Sequence, residues 1–138
     1  MRKQILTGAE SFKEIIERNY FYVDKTLFIK ELLEHRGKVT LITRPRRFGK
    51  TMNMSMLEHF FDVNQDSTAL FDGLAIMEHR DIVDRHMNQY PVVSLTLRSV
   101  ERPTYQEAIE MIKILVSNAY QEHLTCAATA RPRTRPPG

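Results

Sequence analysis

The residues best suited to do chemistry lie in one stretch, Lys38 to Phe61: Lys-Val-Thr-Leu-Ile-Thr-Arg-Pro-Arg-Arg-Phe-Gly-Lys-Thr, then Met-Asn-Met-Ser-Met-Leu-Glu-His-Phe-Phe. Gly49, Lys50 and Thr51 are the types that hold phosphate. Amides at a helix start have no intrahelical acceptor, so they can point at an anion, and a glycine lets the backbone come close to it. Lys50 would bring a compact positive charge to the β- and γ-phosphates of a nucleotide, and the Thr51 hydroxyl would ligate Mg²⁺. The usual pattern is G-x-x-x-x-G-K-[ST]. Arg44 stands where its first glycine belongs, so the strict pattern fails at one position. On spacing alone, a basic surface loop capping a helix is the competing reading. The candidate set is Arg46, Arg47, Phe48, Gly49, Lys50, Thr51 and Met52 for ATP, with Thr51 as the metal ligand. Arg46 and Arg47 suit a solvated loop as well as they suit phosphate.

Such a loop needs a strand before it and a helix after it. Lys38–Thr43 is rich in β-formers and reads as a central strand covered on both faces by helices. From Lys50 onward apolar residues recur at helical spacing. Met52, Met56 and Phe60 form one stripe and Met54, Leu57 and Phe61 another, which predicts a buried helix with methionine as adaptable core filler and His59 on its exposed side. A second strand is expected over Tyr90–Leu97, with Pro91 at a tolerated first position. Two strands separated by helical material imply a parallel βαβ unit with a right-handed crossover. The fold expected is therefore α/β, P-loop NTPase-like, a partial parallel sheet with flanking helices, and ligand at the carboxyl end of the strand.

Elsewhere the chain is punctuated by helix signals. Ser11 followed by Glu14 is a capping box opening a short helix to Asn19, with Phe12, Ile15 and Ile16 inward. Tyr20–Val23 reads as extended and ends in Asp24. An acid after an apolar run can be the Mg²⁺-positioning residue of a nucleotide site, but this one precedes the loop, so Asp24 reads better as an N-cap accepting from amides two or three residues on. Lys25–Arg36 is a helix that Gly37 would terminate. Asp62–Ser67 is a polar loop, Leu70–Ile76 a turn-containing connector, and Glu78–Met87 a helical turn or two. His79 and His86 are seven apart, a solvated face rather than the three- or four-residue spacing of metal ligands on a helix. Thr104 and Glu107 form a second capping box, opening a long helix to about Leu124.

Tyr22-Val-Asp-Lys-Thr26, Leu41-Ile-Thr-Arg-Pro-Arg-Arg-Phe-Gly-Lys-Thr51 and Leu57-Glu-His-Phe-Phe-Asp62 together resemble the AAA-ATPase-like family of bacterial and archaeal proteins, over roughly residues 8 to 100. The resemblance implies a P-loop ATPase, in many members followed by a nuclease-like domain of the PD-(D/E)XK type. It implies that Arg44 is the family's own variant of the loop, and it leaves room for Asp24 and Lys25 near the nucleotide. It also implies that the strand bearing the catalytic acid comes later than this chain reaches. No apolar run after Thr51 ends in an Asp-Glu pair; the Tyr90–Leu97 run ends in Arg98-Ser99.

Size and charge bound the rest. A chain of 138 residues is one domain at most, whereas a complete P-loop ATPase core takes roughly one and a half to two domains' worth of chain. The expectation is an N-terminal part of a longer protein, residues 1–125, followed by a disordered Arg/Pro-rich tail, 126–138. The chain has 20 Lys+Arg against 17 Asp+Glu, but Arg131, Arg133 and Arg135 all lie in the tail. Without them the charges balance, so the alkaline pI is a tail effect and global support for a nucleic-acid partner is weak. Arg44, Arg46, Arg47, Lys50 and the tail nonetheless leave a basic nucleic-acid-binding module as the alternative function; a misplaced reading frame is another account of the tail. No run reaches membrane-spanning length. The start is not a signal peptide, and the single cysteine, Cys126, fits a reducing cytoplasm.

Overall fold

The structure, a computed structural model, describes residues 3–6, 8, 11–43 and 49–129, with backbone alone for Ser99 and 125–129. Its contacts divide the chain into two compact units, Met1–Val92 and Val93–Gly138.

The first unit is built from short helices: α1 Phe12–Glu17, α2 Leu27–Glu34, α3 Lys50–Phe61, α4 Thr68–Phe71, a 3₁₀ turn Ala75–Glu78, and α5 Arg80–His86. Each turns its apolar stripe inward, because a helix this short is marginal in water without tertiary packing. Phe12 of α1, Ile29 of α2, Met56 and Phe60 of α3, Phe71 of α4 and Ile76 of the 3₁₀ turn are fully buried, with Val83 and Met87 beside them. Aromatic rings make the centre. Phe12 and Phe71 have centroids 4.9 Å apart, and Phe60 meets Phe71 edge-on at 5.4 Å, the offset geometries that ring quadrupoles favour. The ion pairs Lys13–Glu17, Arg18–Glu14 and Lys30–Glu34 are exposed i,i+4 contacts, worth about 0.3–0.5 kcal/mol each. The core outweighs them.

Several local expectations change. Ser11 precedes α1 as expected but makes no side-chain cap; Ser55 of α3 supplies it, its Oγ accepting from the Phe12 amide at 3.1 Å. That bond joins α1 to α3. Helix α2 ends through His35, and the left-handed residue after it is Arg36, at φ 45°, not Gly37. Of the two stripes on α3, Met56 and Phe60 are buried while Met54 is exposed, and His59 is half-buried, its Nδ1 2.7 Å from the Ser55 carbonyl.

The end of α3 is tied down by Asn88, at φ 53°. Its Nδ2 donates to the carbonyls of His59 at 3.1 Å and Asp62 at 2.8 Å, and its Oδ1 accepts from the Ser67 amide at 3.2 Å. Beside it, Tyr90 N–H donates to Phe61 O and Val63 N–H to Tyr90 O. This is the parallel bridge Asp62–Tyr90.

That isolated bridge is the β-pairing found among the described residues; the expected parallel sheet is absent there. The described chain is helical, and the α/β reading with a parallel sheet is overturned. Neither Lys38–Thr43 nor the run after Tyr90 belongs to a strand. The physical reason is the difference between the two kinds of element. A helix closes its hydrogen bonds within itself, but a strand exists through a neighbour's ladder and the burial of its faces. Val39 and Leu41, expected inside a covered sheet, are 88% and 84% exposed.

In the second unit a 3₁₀ turn, Arg98–Val100, packs on α6, Tyr105–Thr129. Thr104 caps α6 as its capping box predicts, its Oγ1 accepting from the Glu107 amide at 3.4 Å. The helix includes residues 126–129, the first part of the segment expected to be disordered.

Truncating Phe60 to Ala removes a ring from the centre of the first unit and is expected to cost about 3–5 kcal/mol. Leu41→Ala, at an exposed site, is expected to stay within about 0.5 kcal/mol. Urea unfolding followed by far-ultraviolet circular dichroism compares the two, and a Leu41→Ala loss as large as that of Phe60→Ala would place residues 38–43 in a buried element after all.

Candidate functional site

The site is assembled from the start of α3 and from the segment leading into α2. Gly49 precedes α3 in the left-handed region, φ 75° and ψ 23°, a conformation open to glycine and strained for residues with a Cβ. The first intrahelical bond runs from the Asn53 amide to the Gly49 carbonyl at 2.9 Å. The amides of Lys50, Thr51 and Met52 therefore have no intrahelical acceptor. Among the described residues no side chain caps this helix, and its first turn holds no acid. Lys50 and Thr51 are exposed and Met52 half-buried against the core. Of the candidate set, the structure describes Gly49, Lys50, Thr51 and Met52; Arg44, Arg46, Arg47 and Phe48 lie outside the described residues.

The second component comes from Asp24-Lys25-Thr26. Asp24 Oδ1 accepts from the Thr26 amide at 2.9 Å and from its hydroxyl at 2.6 Å, so Asp24 does accept from an amide two residues on. It is not the formal N-cap, since Thr26 holds that position on α2. The other carboxylate oxygen reaches across the chain to the Ala75 amide at 2.8 Å, and the buried Thr26 Oγ1 accepts from the Ile76 amide at 3.1 Å. Asp24 and Thr26 thus fasten the start of the 3₁₀ turn to the start of α2. Between them, Lys25 extends toward the loop: its Nζ lies 3.5 Å from the position that a Cβ on Gly49 would take.

Two ionisable groups here are shifted. Burial raises Asp24, but the hydrogen bonds from the Thr26 hydroxyl and from the Ala75 and Thr26 amides outweigh it, leaving the carboxyl below its ordinary range. Burial pushes the Tyr22 phenol up to about 12; a backbone hydrogen bond from Lys25 opposes this and the charge of Asp24 adds to it. Tyr22 is in the core wall, edge-on to Phe12 at 5.4 Å, with its hydroxyl donating to Met56 Sδ at 3.5 Å.

Chemically, this is a helix start whose amides lack intrahelical acceptors, with a left-handed glycine and two lysines from different segments, all suited to a phosphate group. The fit for a metal is narrower. Thr51 offers a hydroxyl, and no cluster of three or more His, Cys, Asp or Glu side chains with metal-holding geometry occurs among the described residues. A Mg²⁺ held largely by phosphate oxygens and water asks little more of the protein. His86, one of the spaced pair, has its Nδ1 2.6 Å from the Tyr90 hydroxyl and stacks on that ring.

Sequence reasoning left the Asp24–Ala75 and Thr26–Ile76 bonds unseen, because the partners are 51 and 50 residues apart. The local signal was present: an Asp two residues before a Thr favours an Asx-type turn.

Comparison with known proteins places the sequence in a class. The model of the family described as Predicted AAA-ATPase matches residues 6–135. The chain belongs to this AAA-ATPase-like family. An uncharacterized protein from the vnfD 5′ region of Azotobacter chroococcum mcd 1 is 38% identical over 86 residues, which cover 62% of this chain and 16% of that relative. The match therefore spans about a sixth of the relative's length. No solved structure matches. Among the described residues, no helix is long and apolar enough to cross a membrane.

Asp24→Asn removes the charge behind these hydrogen bonds and is expected to cost about 1–2 kcal/mol at neutral pH, discounted for the exposure of the carboxylate. Because the folded pKa lies below the unfolded value of about 3.9, the stabilisation is fully present above that value and is lost as pH falls through the folded pKa. Urea midpoints of wild type and Asp24→Asn should differ by a constant amount from pH 7 down to about pH 5 and converge below about pH 4. A gap that persists unchanged in stronger acid would mean that the carboxylate charge is not what the fold uses.

Proposed function

We propose that this chain binds ATP, with Mg²⁺, at the start of α3. The amides of Lys50 and Thr51 and the Lys50 ammonium would hold the phosphates, and the Thr51 hydroxyl would contribute to the metal. The observation that carries the reading is the left-handed Gly49 followed at once by Lys50 and Thr51 at an uncapped, acid-free helix start. The family's name supports nucleotide use. In the same reading Arg46 and Arg47 add charge to the phosphate groups.

Turnover is a separate matter. Hydrolysis in this class uses an acid to position Mg²⁺ and a group to orient water, and no apolar run after Thr51 in this sequence ends in an Asp-Glu pair. The chain taken alone should bind without appreciable turnover. A nucleotide bound to the folded state at about 100 times its dissociation constant adds about 2.7 kcal/mol, seen as a rise in Tm of several degrees. Thermal unfolding with and without Mg-ATP should show that rise in the wild type and none in Lys50→Ala. A cooperative wild-type transition that Mg-ATP does not move would refute the proposal.

A further inference from the structure

We draw no further inference here: the strongest candidate, the exposed apolar stripe of α6 formed by Ile112, Val116, Tyr120 and Leu124, carries none, because nothing in the structure shows what covers it.

Discussion

The Thr26 hydroxyl is the contact on which the first unit turns. It is fully buried, donates to Asp24 and accepts from the Ile76 amide. A buried hydroxyl satisfied on both sides adds stability, but one left without partners carries its full desolvation cost. The two bonds therefore fix each other's geometry. They set the 3₁₀ turn against the start of α2, which puts Ile76 in the core beside Ile29, Met56 and Phe60. They also fix the backbone through Lys25, one residue away, so a single buried polar contact serves both the core and the basic corner near Gly49.

What could be read from the sequence follows from the range of the forces involved. Helices α1, α2, α3 and α6 were legible because their evidence is local: a 3.6-residue apolar period and, for α6, a Thr104 cap three residues from its donor. Their ends were less so. The cap of α1 comes from Ser55, 43 residues away, and the left-handed exit from α2 falls on Arg36 although Gly37 stands next to it. Asn88, whose hydrogen bonds hold the end of α3, carries no sequence signal that separates it from an ordinary loop asparagine.

The strands failed for a related reason. Val39, Leu41, Val93, Leu95 and Leu97 have the composition of covered strands, yet all are exposed. Composition reports what a segment tolerates once a neighbour supplies its ladder; it does not supply the neighbour. The parallel bridge at Asp62–Tyr90 shows the limit, since it forms where Asn88 already holds the two segments together. The helix start at Gly49, Lys50 and Thr51 was legible because it depends on residue types and apolar spacing, both local. The approach of Lys25 to Gly49 joins residues 24 apart and carries no local signal.

On the nucleotide reading, the same helix answers two demands that pull apart, and it does so by separating them along its length. Toward its C-terminal end α3 is held by Phe60 in the core and by Asn88 on the carbonyls of His59 and Asp62. Midway, Met56 is buried and Ser55 caps α1. At its N-terminal end the amides are uncapped, the glycine is left-handed and the neighbouring charges are alike, a combination that local stability alone would remove. Introducing an acid at Lys50 or Thr51 would complement the dipole and stabilise the helix, but it would also occupy the space and the potential that an anion requires. The helix can leave its first turn unsatisfied because its anchoring lies two and three turns further on.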